Sequence, residues 1–132
     1  MSNRKLGNSF EQDFCETLAF HGFWAHNLAQ NQAGQPADVI AVKNKKAYLI
    51  DCKVCSGKSF PLSRVEENQD LAMSFWKDCG NSEGWFALKI NEDIYMIAHL
   101  VIATLKNRQS VLSFDDITKV GIPFERWVRK CG

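Results

Sequence analysis

The sequence predicts an α/β fold: a central mixed β-sheet flanked by helices, with residues 1–132 forming a single domain. Three observations carry this expectation. Phe10, Phe14 and Leu18 recur at helical spacing ahead of Gly22. The strand-like runs 38–43 and 47–54 flank Asn44-Lys45, a turn pair, and so read as a hairpin. Strand, helix and strand then follow one another between Ala47 and Ile90, an order that takes a right-handed crossover and puts a parallel pair into the sheet.

Taken in order, Asn8 with Glu11 forms an N-cap pattern, so the first helix is expected over residues 9–21, with Gly22 ending it. Residues 23–28 read as a strand, followed by the 38–54 hairpin. Ser63 with Glu66 makes a second capping box ahead of Val65, Ala72, Trp76 and Cys79, and Gly80 closes that helix. Residues 84–90 and 94–98 read as strands around Asn91-Glu92-Asp93, and 99–107 as a helix. Two polar residues lie on apolar stripes. Glu11 precedes Phe14, Cys15 and Leu18 at helical spacings and reads as an N3 cap, as a group facing a site, or as both. Gln69, in line with Val65, Ala72 and Trp76, reads as a satisfied core amide or as a site residue. Trp24, Trp76, Trp85 and Trp127 are expected to anchor the core, and Trp127, beside Arg126, Arg129 and Lys130, is also a candidate for stacking on DNA or packing in a dimer.

With 45% hydrophobic residues the chain has enough apolar material for one core. It contains neither a long apolar run nor a charged-then-apolar leader, so a cytoplasmic protein without a membrane span is expected. A net charge of +1 supplies no overall attraction to nucleic acid, which leaves local clusters to do so. Lys58 with Arg64, next to the motif described below, and Lys45 with Lys46 in the hairpin turn are the DNA-binding candidates; Arg4 with Lys5 and the basic tail are further clusters. Five cysteines, an odd number, argue against a disulfide framework. Cys52-x-x-Cys55 lacks the second ligand pair that structural zinc requires, and His21, His26 and His99 have no paired spacing. There is no Walker loop and no G-x-S-x-G elbow.

The chemistry concentrates in Gly34-Gln35-Pro36-Ala37-Asp38 and Leu49-Ile50-Asp51-Cys52-Lys53. Side chains alternate along a strand, so Asp51 and Lys53 point to one side and Cys52 to the other. Pairing of the hairpin strands brings Asp38 beside Asp51. Two carboxylates, with the backbone carbonyl of Cys52 as a further oxygen, suit Mg²⁺, which keeps several waters, and Mn²⁺ as a substitute. A lysine beside such a site suits phosphodiester hydrolysis.

Pro36-Ala37-Asp38 followed by Asp51-Cys52-Lys53 resembles the PD-(D/E)xK nuclease superfamily. Together with Gly7-Asn8-Ser9-Phe10-Glu11, Ser59-Phe60-Pro61-Leu62 and Gln69, the pattern is similar to the RecU-type Holliday junction resolvases, also called penicillin-binding protein-related factor A, over residues 7–99 and more loosely to Trp127. The resemblance implies a Mg²⁺-dependent, homodimeric endonuclease of DNA recombination and repair that cuts four-way junctions. It implies Asp38, Asp51 and Glu11 as the acidic metal group, Lys53 as the catalytic lysine and Gln69 as a polar neighbour. One departure is plain: the long stalk of that family has no room in the interval 26–37, about a dozen residues. A nicking or branch-trimming nuclease of the same superfamily and a non-catalytic DNA-binding module are the alternatives, and the filled catalytic positions weigh against the second. A dimer is expected to use Trp127, Phe124 or the segment 100–105.

Overall fold

In the computed structural model the described residues are 3–28 and 37–132, with residues 3–8 described by their backbone alone. Helix α1 (Asn3–Phe20) leads into strand β1 (Trp24–Asn27); β2 (Val39–Lys43) and β3 (Lys46–Cys55) form the hairpin; β4 (Ser59–Pro61) and a 3₁₀ turn (Leu62–Arg64) precede α2 (Glu67–Asp78). Then come β5 (Trp85–Ile90), β6 (Asp93–Ala98), α3 (His99–Lys106), β7 (Val111–Ser113), α4 (Phe114–Val120), β8 (Ile122–Pro123) and α5 (Phe124–Cys131). The main sheet has the order β1-β2-β3-β5-β6-β8, and β4 pairs with β7 in a small ribbon. β3 and β5 are parallel, with α2 in the crossover, and every other pair is antiparallel. The predicted mixed sheet is therefore present. Among the described residues no helix is long and apolar enough to cross a membrane.

Alternation along the central strands explains the two-sided core. Ile50, Cys52, Ala87 and Met96 meet Phe10, Phe14 and Leu18 of α1 and Trp127 of α5 on one face. Leu49, Phe86, Leu88 and Ile97 meet Met73 of α2, Ile102 of α3 and Ile117 of α4 on the other. A strand covered on both faces reads as a continuous apolar run, which is the form of Tyr48-Leu49-Ile50. The hairpin turns at Asn44-Lys45 as the sequence predicts, both residues having positive φ, 52° and 67°, as a primed two-residue turn requires.

Four expectations fail on physical grounds. α1 starts at Asn3, so Asn8 is an interior helical position and caps nothing; the segment has no proline, and Gly7 within a helix costs only about 1 kcal/mol. The second capping box lies three residues later than expected: Ser63 is in the 3₁₀ turn, Val65 is extended and buried, and Glu66 is the N-cap of α2. Trp127 is buried, stacked on Phe23 at 5.7 Å, and Phe124 is buried with it, so neither offers a surface for DNA or for a second chain. Trp24, expected in the core, is exposed on the edge strand β1. The helices beyond residue 107 have no counterpart among the sequence expectations.

Gly84, just before β5, sits against α2: a Cβ built on it would lie 2.7 Å from Cγ and Sδ of the fully buried Met73. Gly84→Ala is therefore expected to destabilise the protein by about 1–3 kcal/mol through overpacking. Denaturant unfolding measures this, and an unchanged midpoint would contradict the close approach of helix and strand.

Candidate active site

β2 and β3 pair with Val39 opposite Ile50, so the next position along places Asp38 opposite Asp51. The backbone fixes Asp38 on both sides: its N–H donates to the Ile50 carbonyl at 3.1 Å, and its carbonyl accepts from Leu28 N–H at 2.7 Å. Its Oδ2 accepts the Cys52 N–H at 2.7 Å, so a main-chain donor of β3 orients the carboxylate of the neighbouring strand. Asp51, 2% exposed, takes Gln69 Nε2 on Oδ1 at 3.3 Å. Its Oδ2 lies 3.1 Å from Lys53 Nζ, an ion pair with both groups largely buried. Gln69 is itself fixed, because its Oε1 accepts the Glu66 N–H at 3.0 Å and closes the first turn of α2. The two sequence readings of Gln69 are thus both true of its geometry: it is a satisfied buried amide, and it touches Asp51.

Glu11 reaches the same spot from α1. Its carboxyl is pushed up to about 8, first by burial, then by the Asp38 charge and a hydrogen bond shared with Asp38, while Lys53 pulls the other way. Asp51 is raised well above the ordinary carboxylate range, again first by burial and then by Asp38, with Lys53 offsetting part of it. Two carboxyl groups share a hydrogen bond only when one holds a proton, so at neutral pH this group of acids carries protons as well as charge.

The donor set is all oxygen, and the Asp51 carboxyl beside Asp38 and Glu11 fits a hard divalent cation. Among the described residues, however, no three His, Cys, Asp or Glu side chains converge as a ready-made metal cage. Asp38 is turned onto Cys52 N–H, and Asp51 onto Gln69 and Lys53. Cys52 and Cys55 belong to cores on opposite faces of the sheet and cannot share an ion.

The basic candidates separate. Lys45 and Lys46 lie at the turn end of the hairpin, with Lys46 roughly 16 Å along an extended strand from Asp51. Arg64 Nη1 donates to the Val54 carbonyl at 2.8 Å and the guanidinium covers the Phe60 ring, tying down the strand just past Lys53. Lys58 is exposed on the loop between β3 and β4. Gly34, Gln35 and Pro36 of the motif, and the side chains of Arg4 and Lys5, lie outside the described residues. Sequence reading missed Asp70, His99 and Lys106, which surround the start of α2; His99 carried the only signal, as a histidine next to an apolar strand.

Two acids and a lysine thus meet on the central strands of a mixed sheet, the arrangement expected of a nuclease-like domain. The family model described as archaeal Holliday junction resolvase (Hjc) matches residues 1–131, and the chain belongs to that family. A similar solved structure is Archaeoglobus fulgidus Hjc, a Holliday junction resolvase from an archaeal hyperthermophile, at 19% identity and TM-score 0.72, covering 96% of this chain and 100% of that one. No curated protein matches. The expectation of a Holliday junction resolvase stands, while the family found is the archaeal one rather than the RecU type.

Because the Glu11 carboxyl is raised from 4.5 to about 8, the folded state holds a proton that the unfolded state loses above 4.5. Stability from this group is therefore full below about 4.5, falls as pH rises towards 8 and is level beyond. Denaturant unfolding in chelator from pH 5 to 8 should show that decline, and Glu11→Gln should flatten it; an equal slope in both proteins would contradict the placement of Glu11.

Proposed function

We propose that this branched-DNA endonuclease hydrolyses phosphodiesters with Mg²⁺ held by Asp38, Asp51 and Glu11 and the Cys52 carbonyl, that Mn²⁺ can substitute, and that Lys53 is its catalytic lysine. The observation that carries the reading is the Lys53–Asp51 ion pair at 3.1 Å next to an Asp38 carboxylate aimed by Cys52 N–H. When bound, the cation supplies Lewis-acid stabilisation of phosphate charge and a more acidic water. The chain's own groups do the rest. Lys53, with its Nζ 3.1 Å from Asp51 Oδ2, presents its ammonium to a phosphate oxygen or to the attacking water. Glu11, its carboxyl pushed up to about 8 chiefly by burial, would have to be deprotonated to help hold the cation. Lys58 is placed on an exposed loop to contact the DNA backbone, and Arg64 supports that loop through Val54.

Resolution of a four-way junction takes two symmetric cuts, and one chain offers one Asp38/Asp51/Lys53 group, so the active form is a C₂ homodimer. With Trp127 and Phe124 buried, the surface for a second copy is the groove of about 640 Å³ lined by Leu28, Ile40, Leu49, Leu71, Phe75 and Trp76. Leu71 and Phe75 are 63% and 71% exposed on α2 in the single chain, an apolar ridge that a second copy would cover.

Four-way, fork, flap and linear duplex DNA incubated with Mg²⁺ should show preferential, paired nicking of the four-way junction, lost in chelator. Asp51→Asn and Lys53→Ala should each lower the rate at least about 100-fold, with Lys53→Ala retaining more metal affinity. Parent-like cutting by folded Lys53→Ala would refute the assignment, and equal cutting of linear duplex would favour the nicking nuclease. Light scattering should give a dimer mass for the parent and a monomer mass for Phe75→Glu. A parent monomer, with or without DNA, would overturn the dimer, and a dimeric Phe75→Glu the groove.

A further inference from the structure

The start of α2 is held by polar contacts that the proposed chemistry does not use. Asp70, next in the chain to Gln69, has Oδ1 3.0 Å from His99 Nε2 and Oδ2 2.7 Å from Lys106 Nζ. The same ammonium donates to the Val65 carbonyl at 2.7 Å, so one lysine of α3 ties together the residue before the N-cap and the first turn of the helix. His99 is buried, and its backbone N–H donates to the Gly84 carbonyl at 2.9 Å, which anchors this end of α3 to the sheet.

This tie adds to the other anchors of α2, which are Met73, fully buried against Gly84, Trp76, partly buried on the same core, and the capping box at Glu66. Only Gln69 and Met73 of its twelve residues are buried. Successive residues of a helix point about 100° apart, so Asp70 can grip α3 while Gln69 faces β3. The Gln69–Asp51 contact, 3.3 Å long, is at the weak end of hydrogen-bond lengths and sensitive to small helix shifts.

We propose that Lys106, with Asp70 and His99, is a positioning clamp that sets Gln69 against Asp51 and thereby orients the Asp51 carboxylate towards Lys53 and the cation. The clamp's effect on cleavage rests on the nuclease reading above; its effect on Gln69 does not. Lys106 touches no reacting atom and acts through Gln69.

The test uses Lys106→Met, Lys106→Arg, Gln69→Ala and the Lys106→Met/Gln69→Ala double variant in the full chain, with folding checked by thermal melting. Junction cleavage is measured against Mg²⁺ concentration at saturating DNA. Lys106→Met should raise the half-saturating Mg²⁺ concentration about 10-fold with the KM for DNA unchanged. Lys106→Arg should restore most of it. In the Gln69→Ala background Lys106→Met should add nothing, because the group it positions is gone. Fully additive losses, or an unshifted Mg²⁺ dependence, would overturn the clamp while leaving the nuclease reading intact. A parent protein that cuts no DNA would sink the nuclease reading instead, and the clamp then stands or falls on the Gln69 side-chain amide resonances, identified by their loss in Gln69→Ala. Those signals should move in Lys106→Met, and unmoved signals would overturn the proposal.

Discussion

The hydrogen bond from Cys52 N–H to Asp38 Oδ2, 2.7 Å long, joins the residue just before β2 to the middle of β3, and the candidate site is arranged around it. A charged acceptor makes such a bond shorter and stronger than a neutral one. The donor is main chain, so it is as rigid as the sheet. β3 consequently does three things over three residues: Asp51 supplies a carboxylate, Cys52 orients the carboxylate of the neighbouring strand, and Lys53 supplies the cation. β5 pairs with this segment along one edge, and helices cover the sheet on both faces, which keeps it from shifting.

Grouping Glu11, Asp38 and Asp51 around one ammonium is costly for a folded chain. Three carboxylates in a buried setting repel one another, and the structure answers by raising the proton affinity of Glu11 and Asp51 rather than by adding more cations. Buried charge of this kind weakens a fold unless something else compensates it. Strongly shifted acids close to a lysine are the pattern on which the proposed active site rests. The surrounding shell is correspondingly stiff: Gln69 is fixed by the α2 cap, and Arg64 by the Val54 carbonyl.

What the sequence showed and what it hid divide by distance along the chain. Asp51 and Lys53 could be placed from the two-residue period of a strand alone, and Asp38 from the short hairpin that sets the register. The mixed sheet followed from the strand–helix–strand order. Glu11 could be suspected from its stripe, but its partner is 27 residues away in the chain, and only tertiary packing shows them together. Local capping patterns misplaced both helix starts, because the burial of Leu62 and Val65 outweighs the preference of Ser63 for a cap. Trp127 read both as a core anchor and, next to arginines, as a stacking candidate; Phe23, Tyr48 and Trp85 enclose it, so the core reading holds. The Asp70–Lys106 tie joins residues 36 apart and left no local trace.

The proposed metal site requires that a divalent cation, on binding, displace the proton whose loss from Glu11 burial delays to about pH 8. Titration of Mg²⁺ into weakly buffered protein near pH 7, with proton release followed directly, tests it. Release of about one proton per chain, much reduced in Glu11→Gln and fading as pH rises past 8, is the predicted result. Saturable Mg²⁺ binding with no proton released, or with the same release from Glu11→Gln, would contradict it.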